Sequence, residues 1–207
     1  LGSAIATHFV NSMHVVFPEG EKFFVRSVRR FAKDVKDENL KVFTEQLASE
    51  ILKITPTCML NPSIHKNYLV NNQELSSQDG VQIVAAYDEN AGPNFASQKI
   101  LTVSGKTFLE NPVLHKEVFG PFSIVVQCEN ETELVAILNK LEGQLTGTIL
   151  AEDNEINNFD AVVDALGNRV GRIIFNGMPT GVEVCPAMVH GGPYPSSSDS
   201  RFTAVGI

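Results

Sequence analysis

A carboxylate and an aromatic side chain stand two residues apart in the segment Glu117-Val-Phe-Gly-Pro121, directly before an apolar run. A Gly-Pro pair fixes a turn at the entry of a strand, and ligands of α/β proteins often bind at the ends of strands. There Glu117 could hold a pair of sugar hydroxyls and Phe119 could contact a ring. An ordinary strand-entry turn with one surface glutamate explains the pattern equally well, so both interpretations stay open.

Two glycine-rich loops, residues 177–181 and 190–193, flank a cysteine near the end of the chain. Glycines at this density permit positive φ angles and close approach of the backbone to another group. No Lys-Ser/Thr pair follows, which excludes a phosphate-binding P-loop, and a packed irregular loop is the simpler interpretation. Cys185 is a candidate nucleophile, but Glu183 two residues earlier would raise rather than lower the pKa of its thiol.

A possible metal site near the start of the chain is the cluster His8, His14, Glu19 and Glu21. A carboxylate-bridged metal site in a helical protein normally takes further Glu and His ligands from other helices, and this short segment supplies few. Solvated polar residues are therefore the simpler explanation. Glu19 and Glu21 nevertheless remain candidate metal ligands.

Helical and strand-like patterns alternate along most of the chain, and two of them are clear. The run 122–127 (FSIVVQ) is β-branched and apolar, as a buried strand should be. The helix predicted at 129–142 has Asn130 as a cap, Glu133 at the reciprocal position and Gly143 as its end. The remaining predictions are helices at 19–36, 40–54 and 155–166, a short helix near 62–70, and strands at 81–86, 99–103, 145–151 and 170–176.

This order of elements predicts an α/β fold, a largely parallel sheet with flanking helices, preceded by a short helical segment. The helix at 155–166 is expected to begin at a cap, Asp153 or Asn154. The last thirty residues, rich in Gly, Pro and Ser, are expected to form an ordered but irregular loop.

Charge divides the chain unevenly. Seven of its 16 basic residues lie between Lys22 and Lys41, although the whole chain carries a net charge of -8. This shift predicts a boundary, with a basic helical appendage at 1–41 and an α/β unit at 42–207. The acidic balance argues against non-specific nucleic-acid binding, and no apolar run is long enough to predict a membrane span.

The three cysteines are widely spaced, and no pair has the spacing of a metal motif. A reduced, cytoplasmic environment is the simplest prediction. Cys58 and Cys128 are predicted to be small core residues. The first ten residues lack a basic region followed by a long apolar stretch, so no signal peptide is predicted.

The segment Glu117-Val-Phe-Gly-Pro121 resembles the Glu-x-Phe-Gly-Pro motif of the aldehyde dehydrogenase superfamily. The likeness continues through 169–184 (RVGRIIFNGMPTGVEV), 188–195 (MVHGGPYP) and Ser198-Asp-Ser-Arg201, and 42–80, with Thr57-Cys-Met-Leu-Asn-Pro62, is similar too. It covers roughly four-fifths of the chain and is nearest to the branch that oxidises 2,5-dioxovalerate, an oxo-acid semialdehyde.

The resemblance implies NAD(P)+-dependent oxidation of a small aldehyde to the acid, through a cysteine nucleophile and an oxyanion hole. By position, Glu117 and Phe119 would contact the ribose and ring of the nicotinamide of NAD or NADP. The segment that bears the nucleophile, expected just before residue 42, is missing, and so is the dinucleotide-binding half. Cys185 matches a position that is not the nucleophile. We therefore predict no turnover by this chain alone.

Residues 8–38 resemble the start of a family of predicted metal-dependent hydrolases with all-helical architecture, in which Glu19 and Glu21 would be candidate ligands. Three hypotheses follow. The chain is an incomplete aldehyde dehydrogenase, a non-catalytic interaction module, or a metal-dependent hydrolase fragment built on residues 8–50. The expected partners are a small aldehyde, a complementary N-terminal half or a second copy in a homo-oligomer, and neither nucleic acid nor membrane.

Overall fold

The computed structural model describes residues 40–87, 92–151, 158–177 and 191–199, with side chains described from residue 44 onward. Helices and strands alternate through these ranges. In chain order they are α1 (Leu40–Ile51), β1 (Thr57–Cys58), α2 (Pro62–Ser76), β2 (Gln82–Ala86), β3 (Phe95–Ala96), β4 (Lys99–Ser104), α3 (Gly105–Glu110), a 3₁₀ turn (Pro112–His115), β5 (Phe122–Gln127), α4 (Glu131–Lys140), β6 (Gln144–Ile149), α5 (Asp160–Gly167) and β7 (Val170–Phe175).

The longer strands pair in parallel. β4 and β5 run side by side from Lys99↔Phe122 to Ser104↔Gln127, and β6 pairs with β7 in the same sense. β2 adds an antiparallel strand on the other side of β4, and the short β1 and β3 form a separate antiparallel pair. The predicted α/β class with parallel strands and flanking helices is confirmed.

The larger of two apolar clusters includes residues of both parallel pairs. Leu101 on β4, Leu138 on α4 and Ile149 on β6 belong to this cluster, each with at most 2% of its surface exposed. Truncation of such a leucine to alanine typically costs about 2–5 kcal/mol, so the cluster contributes strongly to holding the two parallel pairs together. The smaller cluster packs α1 against the sheet of β2, β4 and β5 and consists of Ala48, Ala85, Ile100 and Val125.

Helix α4 begins as predicted and ends earlier. Asn130 caps it, with its Oδ1 accepting from the Glu133 amide at 2.9 Å. The Glu133 carboxylate accepts from the amide of Glu129 at 2.7 Å, one residue before the cap, instead of from Asn130 itself. Leu141 already has extended backbone angles. The prediction that Gly143 ends this helix is therefore wrong.

Helix α2 is much longer than the short helix predicted near 62–70, because it runs for 15 residues to Ser76. Asn61 caps its first turn by accepting from the Ile64 amide at 2.9 Å, and Pro62 occupies a first-turn position that suits its missing N–H. Its buried stripe contains Tyr68, Asn72 and Leu75. Because Asn72 is polar, the helical spacing of the buried residues does not show as an apolar periodicity in the sequence.

Other predictions meet the structure in part. Cys128 is half-buried and packs against the core, so its predicted core position is met in part, whereas Cys58 is exposed and the same prediction for it is wrong. The helix predicted at 155–166 begins only at Asp160, with Phe159 at its N-cap position, so the prediction that Asp153 or Asn154 caps it is also wrong. The helix predicted at 19–36 lies outside the described residues. No helix within the four described ranges is long and apolar enough to cross a bilayer.

Candidate functional site

The segment that carries Glu117 and Phe119 alternates between exposed and buried side chains. Glu117 is exposed, Val118 is 2% exposed, Phe119 is 37% exposed and Gly120 is buried. Such alternation is typical of an extended chain with one face against the protein. The carboxylate and the aromatic ring therefore project together from the solvent side.

Tyr68 of helix α2 lies beneath the end of this segment. Its ring is so close to Gly120 that a Cβ there would stand 2.7 Å from Cε2 and 2.9 Å from Cγ. The Tyr68 hydroxyl donates to the carbonyl oxygen of Ser97 and lies 3.4 Å from that of Pro121. Burial raises the pKa of Tyr68 well above its usual value, so the hydroxyl stays protonated and remains a donor.

The other end of the segment is fixed to the same helix. Lys116 Nζ lies 2.8 Å from the Glu74 carboxylate, although both side chains are almost half exposed and the ion pair is therefore weak. Asn111 Nδ2 also donates to Gln78 Oε1, just beyond the helix, at 2.9 Å. Contacts on both sides thus tie the chain around Glu117 and Phe119 to α2.

The site lies at the amino end of β5. The Phe122 amide donates to the Gly120 carbonyl at 2.7 Å, and the Lys99 amide donates to the Pro121 carbonyl at 3.0 Å. The rule for open α/β sheets places ligands at the carboxyl ends of strands, so this position does not follow from it. A ligand held by Glu117 and Phe119 would need further contacts from outside this sheet end.

Comparison with known proteins identifies the family. The family described as "Aldehyde dehydrogenase family" matches residues 26–202, which is most of the chain. The chain belongs to the aldehyde dehydrogenase family. A second family, described as "Predicted metal-dependent hydrolase", matches residues 1–47. Because the two matches overlap between residues 26 and 47, the predicted boundary near residue 42 stays a prediction.

Two curated relatives of this aldehyde dehydrogenase chain carry nearly the same name. The alpha-ketoglutaric semialdehyde dehydrogenase of Acinetobacter baylyi is 38% identical over 178 residues, which cover 83% of this chain and 33% of the relative. Alpha-ketoglutaric semialdehyde dehydrogenase 2 of Azospirillum brasilense is 34% identical, covering 99% of this chain and 38% of the relative. The chain therefore spans little more than a third of the relatives that it matches.

Solved aldehyde dehydrogenases share the fold. Succinic semialdehyde dehydrogenase from Streptococcus pyogenes, determined with NADP+, superposes with a TM-score of 0.60 at 21% identity and covers 84% of this chain and 40% of its own. Betaine aldehyde dehydrogenase from Staphylococcus aureus, determined with NAD+, gives 0.61 at 15% identity, with coverage of 83% and 38%. At these identities the likeness concerns the fold alone.

The two described thiols of this aldehyde dehydrogenase chain differ in their surroundings. Burial and then the charge of Glu133 raise the pKa of Cys128 to about 11, so this thiol is almost wholly protonated at neutral pH. Cys58 is exposed, and its sulfur accepts from Asn94 Nδ2 at 3.4 Å. Cys185 and Glu183 lie outside the described residues.

Metal candidates receive no test from the structure, because Glu19 and Glu21 also lie outside the described residues. Elsewhere, no group of three or more His, Cys, Asp or Glu side chains in the described ranges could hold a metal ion. The sequence predicted that the second glycine-rich loop permits close approach of the backbone to another group. At Gly192 this approach is a packing contact within the protein. A Cβ on Gly192 would overlap the carbonyl oxygen of Gln144 at the start of β6.

Sequence inspection missed the residues of α2 that anchor the site. Tyr68 fell within the short helix predicted near 62–70, and Glu74 lay beyond its predicted end, but neither was predicted to contact the site. A usable signal was present, since Tyr68, Asn72 and Leu75 follow helical spacing once Asn72 is accepted as an inward residue.

Proposed function

We propose that the chain takes part in NAD(P)+-dependent oxidation of an aldehyde, an oxo-acid semialdehyde, by holding the nicotinamide end of the cofactor. Glu117 would accept hydrogen bonds from the ribose hydroxyls, and Phe119 would pack against the ring. When bound, the nicotinamide accepts the hydride from the substrate. The names of the two curated relatives support the substrate class, and the family supports the cofactor.

The single observation that carries the proposal is the paired exposure of Glu117 and Phe119 on an anchored segment. An ionised carboxylate can accept from two hydroxyls at once, and a half-exposed aromatic ring offers an apolar face to a planar ligand. Both features fit the nicotinamide end of NAD or NADP. The described residues offer no comparable set for the adenine end or the pyrophosphate, so a full site needs a complementary polypeptide.

Turnover would also need a reactive thiol from that complementary polypeptide, because burial keeps Cys128 protonated and Cys185 resembles a position that is not the nucleophile in the family. We therefore expect this chain alone to give no sustained NAD(P)H production from α-ketoglutaric semialdehyde. Sustained NAD(P)H formation by the purified chain would contradict this expectation. A cytoplasmic location fits a protein whose two described cysteines are unpaired.

The test is reconstitution. The chain is mixed with the N-terminal part of the Acinetobacter baylyi relative that it does not match, and NAD(P)H formation from α-ketoglutaric semialdehyde is followed. Glu117→Gln and Phe119→Ala should each raise the KM for NAD(P)+ about tenfold, since each removes about 1–1.5 kcal/mol of cofactor contact. The KM for the aldehyde should change little.

Matched controls exist for both variants. Glu110→Gln removes another exposed carboxylate, and Phe95→Ala removes a ring that is 37% exposed, the same fraction as Phe119. Neither control should alter the KM for NAD(P)+. If the controls and the site variants behave alike, Glu117 and Phe119 do not hold the cofactor.

A second candidate function, an interaction module, is favoured by the arrangement of the strands. Helix α4 connects β5 directly to β6, yet within the described residues these two strands lie in different sheets. Both sheets contribute to one apolar cluster, and β5 and β6 are each the last strand of a sheet in the described part of the chain, so their edges could pair with an added strand. The occupant proposed here is a strand of the complementary aldehyde dehydrogenase polypeptide.

Hydrogen exchange distinguishes the possible occupants. On mixing with the N-terminal part of the relative, amides of β5 and β6 should gain protection, while those of β2 at the outer edge should not. Protection that arises without the added part, together with a concentration-dependent doubling of mass, would instead show a homo-oligomer. Unchanged exchange in β5 and β6 would reject the interaction module.

The hydrolase hypothesis is retained for residues 8–50, supported by the match of a predicted metal-dependent hydrolase family to residues 1–47. Glu19 and Glu21 are its proposed ligands. Elemental analysis of the purified chain decides it, since a chain without bound iron, zinc or manganese would exclude this function.

A further inference from the structure

We propose that Tyr68 is a positioning residue, which fixes the backbone at Gly120 and Pro121 so that Glu117 and Phe119 face the nicotinamide; the proposal rests on the dehydrogenase function above. Tyr68 itself is 1% exposed and lies on the opposite side of the segment from the two site residues. It would therefore act through the backbone and not by touching the ligand.

The first support is the fit between the Tyr68 ring and Gly120. A Cβ at this position would stand well inside the 3.4–4 Å of ordinary van der Waals contact with the ring. Only glycine lets the main chain lie directly on the ring face. The Tyr68 ring therefore sets the distance between helix α2 and the segment that carries Glu117 and Phe119.

The second support is the place of the Tyr68 hydroxyl. It donates to the Ser97 carbonyl and lies 3.4 Å from the Pro121 carbonyl oxygen, so it touches the chain before β4 and the chain before β5. The Lys99 amide bonds the same Pro121 carbonyl at 3.0 Å. One hydroxyl thus joins the entry points of two parallel strands at the end where the site lies.

The third support is a second anchor on the same helix. Glu74 follows Tyr68 by six residues, about 9 Å along α2, and holds Lys116 by its ion pair. The same helix therefore contacts the segment near both of its ends, at Gly120 through the buried Tyr68 and, more weakly, at Lys116 through the exposed ion pair.

The experiment uses the full, isotope-labelled chain, with nicotinamide mononucleotide as the probe. Tyr68→Phe keeps the ring and removes the hydroxyl. If the loss of this bond leaves the segment in its binding-competent arrangement in only about 10–20% of molecules, the binding of nicotinamide mononucleotide weakens about five- to tenfold. The amides of residues 117–119 should also lose order in the free chain, measured by nuclear magnetic relaxation.

Thr102→Val is the matched control, because the Thr102 hydroxyl donates to the Val125 carbonyl at 3.2 Å, between the same two strands but away from the turn. It should lower the unfolding midpoint as much as Tyr68→Phe while leaving affinity and order at 117–119 unchanged. Equal effects of the two variants on residues 117–119, or no effect of Tyr68→Phe, would overturn the proposal.

Cofactor binding by the segment and its positioning by Tyr68 are tested by different measurements. If nicotinamide mononucleotide does not shift the amides of Glu117 and Phe119 in the unaltered chain, the dehydrogenase role of this segment in the isolated chain is wrong. The order of 117–119 in Tyr68→Phe and Thr102→Val, measured without ligand, still decides whether Tyr68 positions the segment.

Discussion

Substitution of Gly120 by alanine tests the contact on which the site depends. The new Cβ would lie 2.7 Å from Cε2 of Tyr68, at least 0.7 Å inside the 3.4 Å limit of ordinary contact. The ring cannot retreat easily, because Tyr68 is 1% exposed and its hydroxyl is bonded. Overpacking of this kind costs about 1–3 kcal/mol, and the φ of 157° at Gly120 adds a backbone strain that alanine carries even without the ring.

The assay is urea unfolding followed by circular dichroism, because the chain has no tryptophan for fluorescence. A double-mutant cycle with Tyr68→Leu assigns the cost to the contact. Tyr68→Leu alone destabilises by loss of packing, but it also makes room for the alanine. The double variant should therefore be more stable than the sum of the single effects predicts, by about 2 kcal/mol.

Gly167→Ala is the control, since at this helical position the nearest atom to a new Cβ is Ile173 Cδ1 at 3.6 Å. Alanine there should leave stability unchanged or raise it by up to about 1 kcal/mol. The reasoning is refuted if Gly120→Ala unfolds at the wild-type urea concentration. It is equally refuted if the single effects simply add, because then the Tyr68 ring does not limit residue 120.

Three further predictions concern other parts of the molecule. Because its pKa is raised from 9.0 to about 11, Cys128 should react with iodoacetamide about 100-fold more slowly at neutral pH than an unperturbed thiol. Peptide mapping would compare the labelling rate of Cys128 with that of the exposed Cys58. Because the Cys128 thiol loses its proton at lower pH in the unfolded chain than in the folded one, the free energy of unfolding should fall as pH rises from 9.0 to about 11. The fall should be less steep in Cys128→Ala, and equal slopes of the two proteins in urea titrations would contradict this prediction. Asn130→Ala should cost about 1 kcal/mol by removing the cap of α4, whereas Asn139→Ala, on the exposed side of that helix, should cost nothing in the same unfolding assay.

The sequence predicted correctly those helices and strands whose formation depends on residues close together in the chain. The β-branched run at 122–127 is a strand, and Asn130 caps the helix that follows. These outcomes depend on neighbouring residues only, so the sequence is enough to read them.

Contacts between distant residues could not be read in the same way. The Tyr68 ring meets Gly120 across more than fifty residues of sequence, and neither residue alone indicates the other. Gly143 was expected to end a helix, but its main role is to let the chain at Pro193 pass closely. The separation of β5 from β6 is likewise a matter of strand pairing, which no local pattern encodes.

The glycines at the start of β6 and β7 have a consequence for how the chain is completed during synthesis. The Gly143 amide donates to the Tyr194 carbonyl at 3.2 Å, and a side chain on Gly171 would overlap the carbonyl oxygen of Gly191. The entrances of both strands are therefore closed by residues made later, about fifty residues after Gly143. Because chains are made at about 5–20 residues per second, this half of the core waits several seconds for its closing segment. A ribosome that stalls before residue 191 would leave both strand entrances open to the wrong neighbour.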